Sequence, residues 1–162
     1  YTMETSTYDI HLCSLTEWSV RHIRDIFEAS TDEQSLRAIS TTFAEDLDAS
    51  VNGAPLTREG IKQLVLAMRR SSPRGLNVEW LQAVEASSDP TTNRGGSFGG
   101  VYVIRGIQKT IPGFSRPVDF ERHKTVTVKI ASQSSSLHFD SRRIVNLVFV
   151  ASDNRVDRQA SL

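Results

Sequence analysis

The hydrophobic period of this chain changes at Gly75, from a helical repeat before it to strict alternation after it. Before Gly75, three hydroxyl residues stand where helix caps belong. Ser14-Leu15-Thr16-Glu17 and Thr31-Asp32-Glu33-Gln34 are capping boxes, in which the hydroxyl accepts a first-turn amide and the Glu or Gln side chain reaches back to the cap amide. Thr57 is the third cap. Cys13 with Trp18, and Leu56 with Ile61, occupy the positions of hydrophobic staples. Trp18, Ile23, Ile26 and Phe27 predict a first helix from Leu15 to about Ala29, and Leu36 and Ile39 mark a short second one. Ile61, Leu64, Val65 and Met68 fall at i, i+3, i+4 and i+7 and predict a third from Arg58 to about Arg70. Phe43 to Val51 reads as an irregular or extended stretch closed by the turn pair Asn52-Gly53.

After Gly75, Leu76, Val78, Trp80, Gln82 and Val84 alternate with Asn77, Glu79, Leu81, Ala83 and Glu85, which predicts a strand with one apolar face. Further strands are expected over Phe98–Thr110, about Phe120–Ala131 and about Arg143–Ala151. Gly95-Gly96-Ser97-Phe98-Gly99-Gly100 reads as part of a flexible hairpin loop. Helices first and long strands afterwards is an α+β order. The expected architecture is a set of N-terminal helices packed in the concave face of a curved antiparallel sheet.

A length of 162 residues suits one domain, here 14–153, with an N-terminal extension over 1–13 and a polar, fraying tail over 154–162. Lys+Arg and Asp+Glu are equal at 19 each, so no global field would gather nucleic acid or an anionic membrane. Arg69-Arg70 and Arg142-Arg143 read as solvated helix-end and hairpin charges. With Cys13 as the single cysteine, an internal disulfide and a multi-cysteine zinc site are excluded, and a reducing, cytoplasmic compartment is expected. No apolar run approaches the roughly 20 residues of a membrane span, and Tyr1 to Asp9 does not read as a signal peptide.

The chemistry-bearing residues form no reaction motif. The glycine run lacks the Gly-Lys-Ser/Thr ending of a phosphate loop, and no nucleophile elbow occurs. His11, His22, His123 and His138 show no metal spacing, so neither a metal nor a cofactor is expected. His123 shares a strand face with Glu121, Thr125, Thr127 and Lys129 and reads as solvated; Asp46 and Asp48 read as exposed acids beside a turn. The apolar strand faces say more. Trp80 and Gln82 on one strand and Tyr102 on the next share a parity that could line a cavity closed by Phe27, and Asn146 is the lone polar residue of an otherwise apolar last strand. Phe27, Trp80, Gln82, Tyr102 and Asn146 are therefore the expected ligand-binding residues. Val101, Val103, Val145, Leu147 and Phe149 form a second apolar parity, expected on the convex face and buried in a homodimer.

This order of elements resembles the nuclear transport factor 2-like superfamily, which includes SnoaL-like cyclases, scytalone dehydratase and ketosteroid isomerases. The resemblance runs over Leu15 to Asp153 and rests on Phe43-Ala44-Glu45-Asp46, on Leu56-Thr57-Arg58-Glu59-Gly60-Ile61 and on Arg143-Ile144-Val145. It implies a cone-shaped α+β barrel around a pocket that binds a small, mostly apolar molecule, with cyclisation, isomerisation or dehydration as the reactions such a pocket would host. A non-catalytic dimerisation or protein-interaction domain on the same cone is the other reading. Residue by residue, the isomerase tyrosine falls near Phe27 and its basic aspartate near Ser50 to Asn52, where no carboxylate stands. Phe27-Glu28 replaces the Tyr-Asp of scytalone dehydratase, and no pair of histidines follows on the later strands.

Overall fold

The computed structural model describes residues 10–156. Three helices, α1 (Leu15–Glu28), α2 (Asp32–Thr42) and α3 (Arg58–Arg70), are interleaved with strands β1 (Phe43–Val51), β2 (Ala54–Leu56), β3 (Asn77–Ser87), β4 (Gly96–Lys109), β5 (Val118–Ser132) and β6 (Arg142–Arg155). Each predicted cap is in place: the Ser14, Thr31 and Thr57 hydroxyls accept from the amides of Glu17, Gln34 and Gly60 at 3.0, 3.1 and 3.0 Å. Such a cap contributes about 1 kcal/mol. The expected extension over 1–13 lies outside the described residues through residue 9; Leu12 is buried, and the Ile10 amide donates to the Leu137 carbonyl. Strand β6 runs on to Arg155, and residues 157–162 of the expected tail lie outside the described ones.

The six strands form one sheet in the order β2-β1-β6-β5-β4-β3. It is open, so the expected barrel does not close. It is also mixed: β1 runs parallel to β6, while every other pair is antiparallel. The stretch after α2 read as irregular is thus a paired strand. Parallel pairing is available to it because β2, α3 and β3 to β5 lie between the two strands along the chain, a connection long enough to bring β6 back in the same direction. Among the described residues, no helix is long and apolar enough to cross a membrane.

Arginines tie the helices to one another and to the sheet. Arg69 on α3 donates to the carbonyls of Phe27 and Ala29 at the end of α1, and Arg58 to those of Ser40 and Phe43 at the end of α2. A guanidinium there satisfies orphan carbonyls and meets the negative end of the helix dipole. Arg142 is almost fully buried, donating to the Cys13 and Asn93 carbonyls and pairing with Asp140. Arg69 and Arg142, expected as solvated charges, are therefore structural clasps. At the sheet edge, the Glu28 carboxylate accepts the Val78 amide at 2.9 Å, and Glu85 accepts the amides of Leu15 and Thr16 at the start of α1.

Three irregularities decide which side chains enter the cone. In β3, Trp80 pairs with Tyr102 but Gln82 with Val101, leaving Leu81 as an extra residue. A one-residue bulge exchanges the faces of everything beyond it, so Gln82 and Val84 leave the apolar face that alternation gives them, and both are exposed. In β6, Ile144 pairs with Ile130 and Asn146 with Lys129, so Val145 is the extra residue. Leu147 and Phe149 consequently join Ile144 on the buried concave face, while Val148 and Val150 project outward at 49% and 61% exposure. The expected convex patch containing Leu147 and Phe149 is overturned by that bulge. A third irregularity, between Ile104 and Ile107, contains Gly106 at φ +98°, pressed against the Gly75 carbonyl.

The run Gly96 to Gly100, expected as loop, lies inside β4. Its glycines serve packing: a Cβ on Gly100 would stand 2.6 Å from Cζ3 of the Trp80 ring. Trp80 lies across that bare backbone, with its ring centroid 5.5 Å from that of Phe98 and 4.6 Å from that of Tyr102. The convex side around Arg105 is polar, with Arg105 bonded to both Glu79 and Glu121, and His123 to Glu121. Val103, in register between Glu79 and His123, is buried there.

Candidate functional site

Trp80, Phe98 and Val78 fill the β3 side of the cone, and a cavity of about 310 Å³ remains on the other side. Its roof is α1 and α3, through Phe27, Ile61 and Val65 among others, and its floor is the concave face of β4, β5 and β6. The walls are mainly aliphatic and aromatic. Asn52, at φ 50° in the turn after β1, and Leu64 on α3 are exposed and stand at the rim.

Polar groups enter from two neighbouring positions of β5. Arg122 and Lys124 share the parity of Val126, Val128 and Ile130, so alternation turns all five inward. Arg122 donates from Nε and Nη2 to the two carboxylate oxygens of Asp153 on β6, at 2.7 and 3.0 Å, and Lys109 also pairs with Asp153. These cations hold the Asp153 carboxyl down at about 2, below the usual carboxylate range. The one carboxylate ties both cations together, and the cluster closes one end of the cavity.

Lys124 has no such tie. It is 8% exposed, and among the described residues its Nζ makes no hydrogen bond or ion pair. It lies 4.5 Å from the ring centroid of Phe149, 5.0 Å from Phe27 and 5.5 Å from Tyr102. Ring faces attract an ammonium, but burial costs it more: desolvation, with repulsion from Arg122, lowers its pKa to about 7 despite the attraction of Asp153. The unprotonated amine is therefore within reach near neutral pH. Tyr102 beside it also lacks a hydrogen bond among the described residues, and burial pushes its phenol above the usual range, so it remains a protonated donor.

Of the five residues expected to bind a ligand, Phe27 and Tyr102 line the cavity, 6.4 Å apart between ring centroids. Trp80 is on the concave face but behind Tyr102, where its Nε1 is buried without a hydrogen-bond partner among the described residues. Gln82 and Asn146 are outside: each follows a bulge that turns it to the convex face, where the Asn146 amide meets Asp48 at 3.4 Å. Lys124 was not among the expected residues. The signal for it was a lysine sharing its parity with three buried aliphatic residues. Among the described residues, no three His, Cys, Asp or Glu side chains are grouped to hold a metal. His123 and Asp46 stand apart from the cavity, as does His22, which stacks on Trp18 and bonds Thr42.

No protein-family model matches this sequence, and no curated protein matches it. Solved structures do match. A putative scytalone dehydratase from Novosphingobium aromaticivorans superposes with a TM-score of 0.59 at 11% identity, over 90% of this chain and 90% of that one. An NTF-2-like protein of unknown function from Pseudomonas aeruginosa gives 0.55 at 14% identity, over 85% and 94%. Nuclear transport factor 2 from Cryptosporidium parvum gives 0.50 at 11% identity, over 88% and 100%. At these identities the shared property is the fold, on which unrelated functions are built.

Proposed function

From the nuclear transport factor 2-like fold of this chain and the content of its cone, we propose that it binds a small, mostly apolar molecule in the cavity under α1 and α3. The carrying observation is Lys124, a buried amine in a mainly apolar cavity that has ring contacts but, among the described residues, no hydrogen bond or ion pair. A packed core gains nothing from an unpaired amine, which costs several kcal/mol to desolvate when charged. Its presence makes sense where a ligand supplies the missing contact. A volume of about 310 Å³ is at the small end of ligand pockets, roughly 300–1,000 Å³, so the ligand is compact. Phe27, Tyr102 and Phe149 give it aromatic surface, and Lys124 and Tyr102 its polar contacts.

The test is a titration with compact aromatic and alicyclic compounds, followed by methyl NMR. Shifts are expected at Ile61, Val65 and Leu147, and Leu147→Trp, which narrows the cavity from β6, should weaken those at Ile61 and Val65 while leaving the fold. A panel that moves none of these methyls, or binding unchanged in Leu147→Trp, would refute the proposal.

A second reading concerns the convex face. Val84, Val148 and Val150, at 67%, 49% and 61% exposure, lie in register with Gly99, Thr127, Val101 and Thr125, making a surface rich in β-branched residues. We propose that two copies pair through it. Val150→Lys should then convert a dimer to a monomer in sedimentation experiments; a wild-type monomer at micromolar concentration would end this reading.

A further inference from the structure

The geometry points to Lys124 as a reactive amine that captures a compact apolar aldehyde or ketone as an imine inside the cone. This rests on the cavity being a ligand pocket, and it names the class of ligand and the bond.

Three observations separate a carbonyl from an anion as the partner of Lys124. First, Nζ lies within 4.5 to 5.5 Å of three ring centroids, those of Phe149, Phe27 and Tyr102. Ring faces carry negative charge, so they repel a carboxylate placed beside the amine and tolerate a neutral carbonyl carbon. Second, the guanidinium nearest in sequence on this face, Arg122, is held at both Nε and Nη2 by Asp153. An anion site would offer that fork to its ligand. Third, no carboxylate pairs with Lys124 itself among the described residues, so no ion pair holds it as an ammonium. A pKa lowered to about 7 supplies the unprotonated amine that addition needs.

The step is redox-neutral. The Nζ lone pair adds to the carbonyl carbon, the C=O π pair moves to oxygen, and proton transfer gives a carbinolamine. Loss of the hydroxyl as water, with uptake of one proton, leaves an iminium C=N. Overall, amine, carbonyl compound and one proton give iminium and water. Tyr102, lining the same cavity and kept protonated by burial, is the neighbouring proton donor. The surrounding rings then stabilise the iminium as they would an ammonium.

The sequence makes the test clean, because its lysines are only Lys62, Lys109, Lys124 and Lys129. The full chain is incubated at neutral pH with benzaldehyde and sodium cyanoborohydride, whose hydride reduces an imine to a stable benzyl amine, and peptides are mapped by mass spectrometry. Labelling of Lys124 is expected at least about tenfold faster than at the other three lysines, since an ordinary lysine is almost wholly protonated there. Its rate should rise with pH through about 7 and level off, following the Lys124 titration. Lys124→Met should lose that adduct and still bind toluene, the carbonyl-free probe, as read by the methyl shifts of Ile61 and Leu147. Toluene binding with no preference of benzaldehyde for Lys124 would overturn the imine and leave the pocket standing. If benzoate bound instead, and raised the Lys124 pKa, the amine would be an anion anchor and the imine would again fall. Neither toluene nor benzaldehyde binding would remove both the pocket and the imine.

Discussion

Replacing Lys124 by Met should make the protein more stable at neutral pH, and the gain should vanish as the solution becomes alkaline. Burial lowers the pKa of the amine to about 7 from an ordinary lysine value of 10.5. Below about 7 both the folded and the unfolded chain carry the proton, and folding bears the full cost of burying an ammonium. Between about 7 and 10.5 the unfolded chain holds a proton that the folded one has released, so stability rises with pH by about 1.4 kcal/mol per unit. Above 10.5 both forms are neutral and the penalty has gone. Over that window the cost amounts to about 5 kcal/mol, an upper bound because water reaching Nζ through the rim would screen it. Met keeps most of the volume of the lysine stem and carries no charge. Urea unfolding followed by Trp18 and Trp80 fluorescence, for both proteins from about pH 6 to about pH 10, isolates the effect in their difference, since all other titrations are common to both. The difference should be largest at the acid end and shrink steadily above neutrality. A difference that does not change with pH would show that Lys124 is not a buried amine with a depressed pKa, and would remove the basis for its reactivity.

His22 is held neutral by burial down to about 4, against an ordinary value of 6.5; because its folded pKa is depressed, its contribution is intact above about 6.5 and is lost as the pH falls toward 4. An NMR titration should find its ring neutral at pH 5, and a midpoint near 6.5 would contradict its stacked position on Trp18. Glu85→Ala removes the acceptor for the Leu15 and Thr16 amides and should cost about 1–2 kcal/mol in urea unfolding, with no loss expected if those amides were already solvated. Gly106→Ala places a Cβ 2.5 Å from the Gly75 carbonyl at a φ of +98° and should destabilise by about 2 kcal/mol or more; an unchanged melting temperature would mean that this bulge is not rigid.

The helices and the number of long strands were legible in the sequence because their causes are local. A cap hydroxyl, the amide it satisfies and the apolar stripe that follows lie within one or two helical turns, so Ser14, Thr31 and Thr57 announce α1, α2 and α3 without reference to the rest of the chain. Alternation announces β3 to β6 in the same way. What alternation cannot carry is a bulge, because one extra residue leaves composition unchanged while reversing every face beyond it. Leu81 thereby moved Gln82 and Val84 out of the cone, and Val145 moved Asn146 out and brought Leu147 and Phe149 in. The parallel entry of β1 beside β6 and the burial of Arg142 likewise depend on partners far along the chain. The inward side of Lys124 was implied by its parity with Val126 and Val128. That it has three rings and no carboxylate for company was settled only when α1 brought Phe27 over β4, β5 and β6, since the environment of a buried charge is made by elements that meet in space and not in sequence.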